Sequence, residues 1–120
     1  MDYPTLKILH LTGLALTFMG LAGMLGSKAT GAAPFPKRLV FHLSHGIGLL
    51  LLIVTGFALA AKLGEANPPP GWLKAKLIVW LLAGGGMALA TRFSRYTWAV
   101  LVFFVLLVLT AAWLAIEKPF

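Results

Sequence analysis

The sequence predicts an all-α integral membrane protein, a single domain over residues 1–120 built as an antiparallel four-transmembrane-helix bundle with both termini on the same side. Three observations carry that prediction. The chain has 120 residues, 60% of them hydrophobic and only 11% charged, with a mean hydropathy of +0.94. A soluble domain has about 45–50% apolar and about 25% charged residues, so an ordinary soluble enzyme and a disordered chain are both excluded. Four apolar runs, at about 5–25, 39–61, 73–90 and 96–116, each approach the roughly 20 residues that cross about 30 Å of hydrocarbon. The segments between them are short. Backbone groups in lipid must bond within their own segment, so each run is expected to be a helix.

The first run is longer than a signal-peptide core of about 7–15 residues and carries His10, so it is read as a span rather than a cleaved leader. Gly13, Thr17, Gly20 and Gly23 form a small-residue stripe that lets a second helix approach closely. His10 lies one turn before Gly13, on the same face, and is expected to point into the bundle. The connection at 27–38 holds Gly31, Pro34 and Pro36. The second run places His42, His45, Leu49, Leu52 and Gly56 on one stripe, with Gly46 and Gly48 thinning the helix beside the histidines. The connection at 62–71 holds Gly64 and Pro68-Pro69-Pro70, a stiff extended spacer.

The third run aligns Lys76, Trp80, Gly84, Met87 and Thr91. Its Gly84-Gly85-Gly86 segment weakens a helix in water but permits close packing in lipid. The connection at 91–95 is very short, so the third and fourth helices form a tight hairpin. Residues 99–109 contain no Gly, Ser or Thr; this stretch reads as lipid-facing or as a contact surface for a partner subunit. Trp72, Trp98 and Trp113 lie near run ends and fit an interfacial belt, whereas Trp80 is deeper, either core or the wall of a cofactor site.

The net charge is +7, from ten Lys/Arg and three acids. The basic residues stand singly or in pairs between apolar runs, which points to anionic headgroups and topology rather than to nucleic acid. The termini and the 62–71 connection share one side, face A. Face B carries Lys28, Lys37, Arg38, Arg92 and Arg95 and no acid; face A carries Lys62, Lys74 and Lys118, with Lys7 and Lys76 deeper. Discounting the two deep lysines makes face B cytoplasmic and puts both termini on the non-cytoplasmic side.

No cysteine is present, which excludes disulfides, thiolate catalysis and cysteine-bound metals. Asp2, Glu65 and Glu117 all belong to ends or loops. With no carboxylate inside a span, paired-carboxylate catalysis within the membrane is excluded, and a proton-coupled exporter of the small multidrug resistance type is disfavoured. Phosphate-loop, nucleophile-elbow and zinc-helix motifs are absent. His10, His42, His45 and Lys76 are left as intramembrane ionisable residues, the default candidates for a functional site. Neutral imidazole ligates metals and haem iron, which makes His10 and His45 the candidate metal ligands. The other roles open to the histidines are interhelical hydrogen bonds and headgroup contact. Lys76 either ligates as a neutral amine or snorkels to the interface. From the helical rise, His10 lies about 8 Å from mid-membrane toward face A and His45 about 7 Å toward face B. His10 and Lys76 are therefore level, and His10 and His45 are poorly matched as axial partners.

The segments "LKILHLTGLAL", "RLVFHLSHGIGLLLLIVTGFAL" and "GWLKAKLIVWLLAGG" resemble the small membrane proteins grouped around SirB. They are more distantly similar to HemJ-type protoporphyrinogen oxidases and to CopD-like copper proteins. The HemJ resemblance implies haem b-linked roles for His10 and for Lys76, which stands in a W-x-x-x-K-L stretch at 72–77. The chain departs from that pattern after His10, where "LTGLALTFMGLAGMLGSKA" replaces an aromatic-rich, arginine-containing helix end. A copper role fits less well, because Met19, Met24 and Met87 form no cluster. Two functions are expected: a haem b-binding redox or electron-transfer protein, or a cofactor-free accessory subunit of a respiratory or photosynthetic membrane complex. An independent enzyme is the minor expectation, and the bacterial inner membrane is the expected location.

Overall fold

Asp2 starts the first helix. Its carboxylate accepts a hydrogen bond from the Thr5 backbone N–H at 3.1 Å, and Pro4 occupies the first turn, where its missing donor is harmless. Helix α1 then runs Tyr3–Thr30 and ends on Gly31, whose φ of 67° closes it in the left-handed region. Its 28 residues correspond to about 42 Å, the hydrocarbon plus both headgroup layers, which is why α1 outruns the apolar run at both ends.

The structure, a computed structural model, describes residues 1–31, 37–65 and 67–120. Pro34 and Pro36 lie outside the described residues. α2 spans Leu39–Lys62, α3 Gly71–Gly84, α4 Gly86–Arg92 and α5 Thr97–Glu117, with a 3-10 turn at Ser94–Tyr96 before α5. Among the described residues, four helical spans are long and apolar enough to cross a membrane, α3 and α4 together forming the third.

That third span differs from the single uninterrupted helix expected at 73–90. It divides at Gly85, where ψ is −8°, because three consecutive glycines leave no side chains to brace the turn. The Gly85 N–H still donates to the Leu81 carbonyl at 3.0 Å, so hydrogen bonding continues through the division.

α1 and α2 pack antiparallel along most of their length. Gly13 lies against Leu51 and Leu52, and Gly20 against Phe41 and His45. A Cβ on Gly20 would stand 2.6 Å from the Phe41 carbonyl oxygen and 2.7 Å from the His45 nitrogen, so only glycine allows this approach. At the far end of the bundle, the Trp72 N–H donates to the Phe120 carbonyl at 3.0 Å. The chain's own C-terminus thereby satisfies an open donor in the first turn of α3, where the Pro70 cap offers no side-chain acceptor. Tyr3, Leu63, Trp72 and Lys118 meet around one cavity, placing both termini and the 62–71 connection on face A.

Toward face B the interior is filled. Leu21, Met24 and Leu25 of α1 belong to one core cluster with Ala90, Val100, Phe104 and Leu107. The uniformly apolar stretch at 99–109 is therefore split. Val100, Phe104 and Leu107 are buried, while Val102, Val105, Leu106 and Leu109 face outward. Core and lipid are equally apolar, so composition does not separate the two sides. Trp98 and Trp113 are exposed, as an interfacial belt requires, but Trp72 is buried, with its indole donating to Glu65 at 3.3 Å.

Candidate functional site

Polar contacts cross the α1–α2 seam. Ser44 Oγ donates to the Leu16 carbonyl at 2.7 Å, His45 Nδ1 to the Thr17 carbonyl at 3.2 Å, and His10 Nδ1 meets Thr55 Oγ1 at 2.8 Å. The last of these orients a ring. The Thr55 hydroxyl gives its single proton to the Leu51 carbonyl at 2.6 Å. With its proton on that carbonyl, the hydroxyl accepts from His10, and Nδ1 is the ring nitrogen that carries the hydrogen in that arrangement. In the neutral ring Nε2 then holds the free lone pair. Gly56 lies beside the ring; a Cβ there would stand 3.4 Å from Cε1.

His10 lines a cavity of about 350 Å³ in the face A half of the bundle, within the range of about 300–1,000 Å³ common for ligand sites. α1 and α2 form one side of it, and α3 and α5 the other. Phe18, Leu52, Ala83 and Val108 are among its apolar lining residues. Trp80 is a wall, held by its Nε1–H donating to the Leu49 carbonyl at 3.0 Å. Lys76 lines the same space, half-buried, so His10 and Lys76 are brought together.

A charged cluster edges the cavity at face A. Lys118 Nζ pairs with Glu65 at 3.1 Å and lies 5.1 Å from the centre of the Trp72 ring, whose indole bonds the other Glu65 oxygen. These residues join the 62–71 connection, the start of α3 and the C-terminus into one edge.

A family model described as "Invasion gene expression up-regulator, SirB" matches residues 3–119. The chain belongs to the SirB family. No curated protein and no solved structure matches it.

The other candidates of this SirB-family chain lie elsewhere. His45 is buried outside the cavity, at the Gly20 contact. It is ten residues before Thr55 on α2, about 15 Å along the helix from the site of His10. Its Nδ1 carries the hydrogen given to Thr17, and its Nε2 is buried without a partner. His42 is exposed, one turn away. His10 and His45 therefore do not converge, and no group of three or more His, Cys, Asp or Glu residues is placed to hold a metal ion among the described residues. Thr55, which bonds His10, is not marked by any motif in the sequence. Its only signal is a hydroxyl inside an apolar run.

Proposed function

We propose that this protein binds haem b in the face A cavity and serves a redox or electron-transfer role in the membrane. The observation that carries this reading is the placement of His10: its Nδ1 is anchored to Thr55, and the residue lines the cavity together with Lys76 and Trp80. Metal-bound histidines characteristically have such an anchored second nitrogen. The donor set fits the group. His10 would hold the iron, Trp80 and Phe18 line the space, and Lys76 and Lys7 would supply positive charge toward face A. When bound, haem supplies the electron chemistry, while the chain orients it and keeps water out. The resemblance of His10 and the 72–77 stretch to HemJ supports the same assignment.

We propose a bacterial inner-membrane location, and we place the termini on the non-cytoplasmic side because face B carries five cations against three on face A once the deep Lys7 and Lys76 are discounted. Fusing a periplasm-active reporter to the C-terminus tests this; activity of a cytoplasm-only reporter there overturns it.

The decisive experiment is the absorption spectrum of the purified protein, oxidised and dithionite-reduced, with haem quantified per chain. Near-stoichiometric haem b that is lost in a folded His10→Ala variant and kept in His45→Leu is the expected result. Loss with His45→Leu instead moves the site to face B. A folded but colourless protein, made with ample haem, overturns the proposal. It favours a cofactor-free accessory subunit, for which the outward α5 face of Val102, Val105, Leu106 and Leu109 offers the contact surface.

A further inference from the structure

The cavity's charge is one-sided. Apart from His10, its ionisable side chains are Lys7 on α1, Lys76 on α3, Lys118 at the rim and the Tyr3 phenol. The three acids of the chain do not balance these cations. Asp2 caps α1, and Glu65 is held by Lys118 and Trp72. Glu117, in the last turn of α5, does not line the cavity. Lys7 lies over the Tyr3 ring, 5.7 Å from its centre. Lys76, half-buried among apolar walls, has no carboxylate of this chain opposite it. An ammonium in such surroundings is costly unless an anion joins it.

The placement of these groups gives the cavity a direction. Lys7 and Lys76 are near the face A ends of their helices, whereas Phe18, Ala83 and Val108 are deeper and wholly apolar. Charge at the mouth and hydrocarbon at depth is complementary to an amphiphile entering tail first. From the cavity assigned above to haem, we infer that the bound molecule carries a carboxylate and that Lys76 is its counter-ion rather than an iron ligand. The propionates of a porphyrin and the head of a long-chain fatty acid are the two sources of that chemistry.

The test compares each acid with its ester in a non-ionic detergent. Haem b and its dimethyl ester are titrated by absorbance. Dibrominated stearic acid and its methyl ester are titrated by quenching of tryptophan fluorescence, with Trp80→Phe identifying the signal from the cavity wall. The expected result is about tenfold tighter binding of an acid than of its ester, abolished in Lys76→Met and retained in Lys76→Arg. Retention in the arginine variant shows that the site has folded. Haem binding equally as acid and ester overturns the inference and leaves the haem proposal standing. Selective binding of the fatty acid without any haem binding overturns the haem proposal and keeps the inference, with a lipid source. Equal binding of acid and ester in both pairs, or selectivity that survives Lys76→Met, overturns the inference.

Discussion

His10 and His45 use the same hydrogen bond in two different settings. Each makes an Nδ1 hydrogen bond to an oxygen of the opposite helix across the α1–α2 seam. At His45 the helices are drawn together by Gly20 and Gly48, and the second ring nitrogen is sealed without a partner. At His10 the seam opens beside Gly56 onto a cavity bounded by α3 and α5, and the residue lines that cavity. A small-residue contact therefore makes a histidine structural, and a gap between helix pairs makes one available. The orphaned Nε2 of His45 costs about 1–3 kcal/mol in desolvation, offset by the Nδ1 bond and by packing of the ring.

The strongest way to break this contrast is to part the helices. Gly20→Leu drives a side chain into the backbone of Phe41 and His45, which has no flexible end to yield. A loss of about 3 kcal/mol or more is expected in detergent unfolding. Gly46→Leu is the control, since nothing lies within 4 Å of a Cβ there, and it should cost less than about 1 kcal/mol. Equal losses in the two variants would refute the close seam.

His45 itself is expected to behave as core. His45→Ala leaves a hole and loses about 2 kcal/mol, the packing loss being partly offset by removal of the orphaned nitrogen. His45→Leu refills the hole and should stay within about 1 kcal/mol of wild type, with haem absorption intact. A larger loss in the leucine variant would show that Nε2 has a partner in the membrane. At the cavity end, Thr55→Val removes the anchor of His10. Stability should fall by only about 0.6 kcal/mol, an average interhelical hydrogen bond in a membrane. On the haem proposal, affinity measured by titration should fall about tenfold, because His10 would no longer be oriented. Ser44→Ala, which breaks a similar seam bond away from the cavity, should leave that affinity unchanged.

Much of this contrast was legible in the sequence, for identifiable reasons. The four spans follow from hydrocarbon thickness, and the inward face of α1 follows from the spacing of Gly13, Thr17 and Gly20. The shared level of His10 and Lys76 follows from helical rise alone. What was not legible depends on contacts between distant segments. Thr55 is one hydroxyl in an apolar run until the antiparallel register sets it opposite His10. The buried side of α5 is hidden because core and lipid select the same residues. Trp72 resembles a belt residue until Glu65, Lys118 and Phe120 gather around it. The division at Gly85 shows the limit of a local signal: the glycine triplet was visible, but periodicity alone does not say whether such a triplet bends a span or only thins it.

The smallest expected effect is at Asp2, where a hydrogen bond of similar kind faces water instead of the seam. Hydrogen bonding from the Thr5 side chain, and then from its backbone N–H, holds the carboxyl below its ordinary value, so the folded state favours the ionised form. The sign follows from that direction. The capping contribution is complete above the ordinary aspartate value and is lost as pH falls through the lower, folded one. Water competes for both partners at this exposed site, so the global unfolding midpoint should scarcely move. The local signal is the Thr5 amide resonance in micelles, which should titrate with a midpoint below that of an aspartate in an unstructured peptide. In Asp2→Asn that titration should vanish while the first turn stays helical, because asparagine caps equally well without a charge. A midpoint at the ordinary aspartate value would mean that the cap does not form in solution.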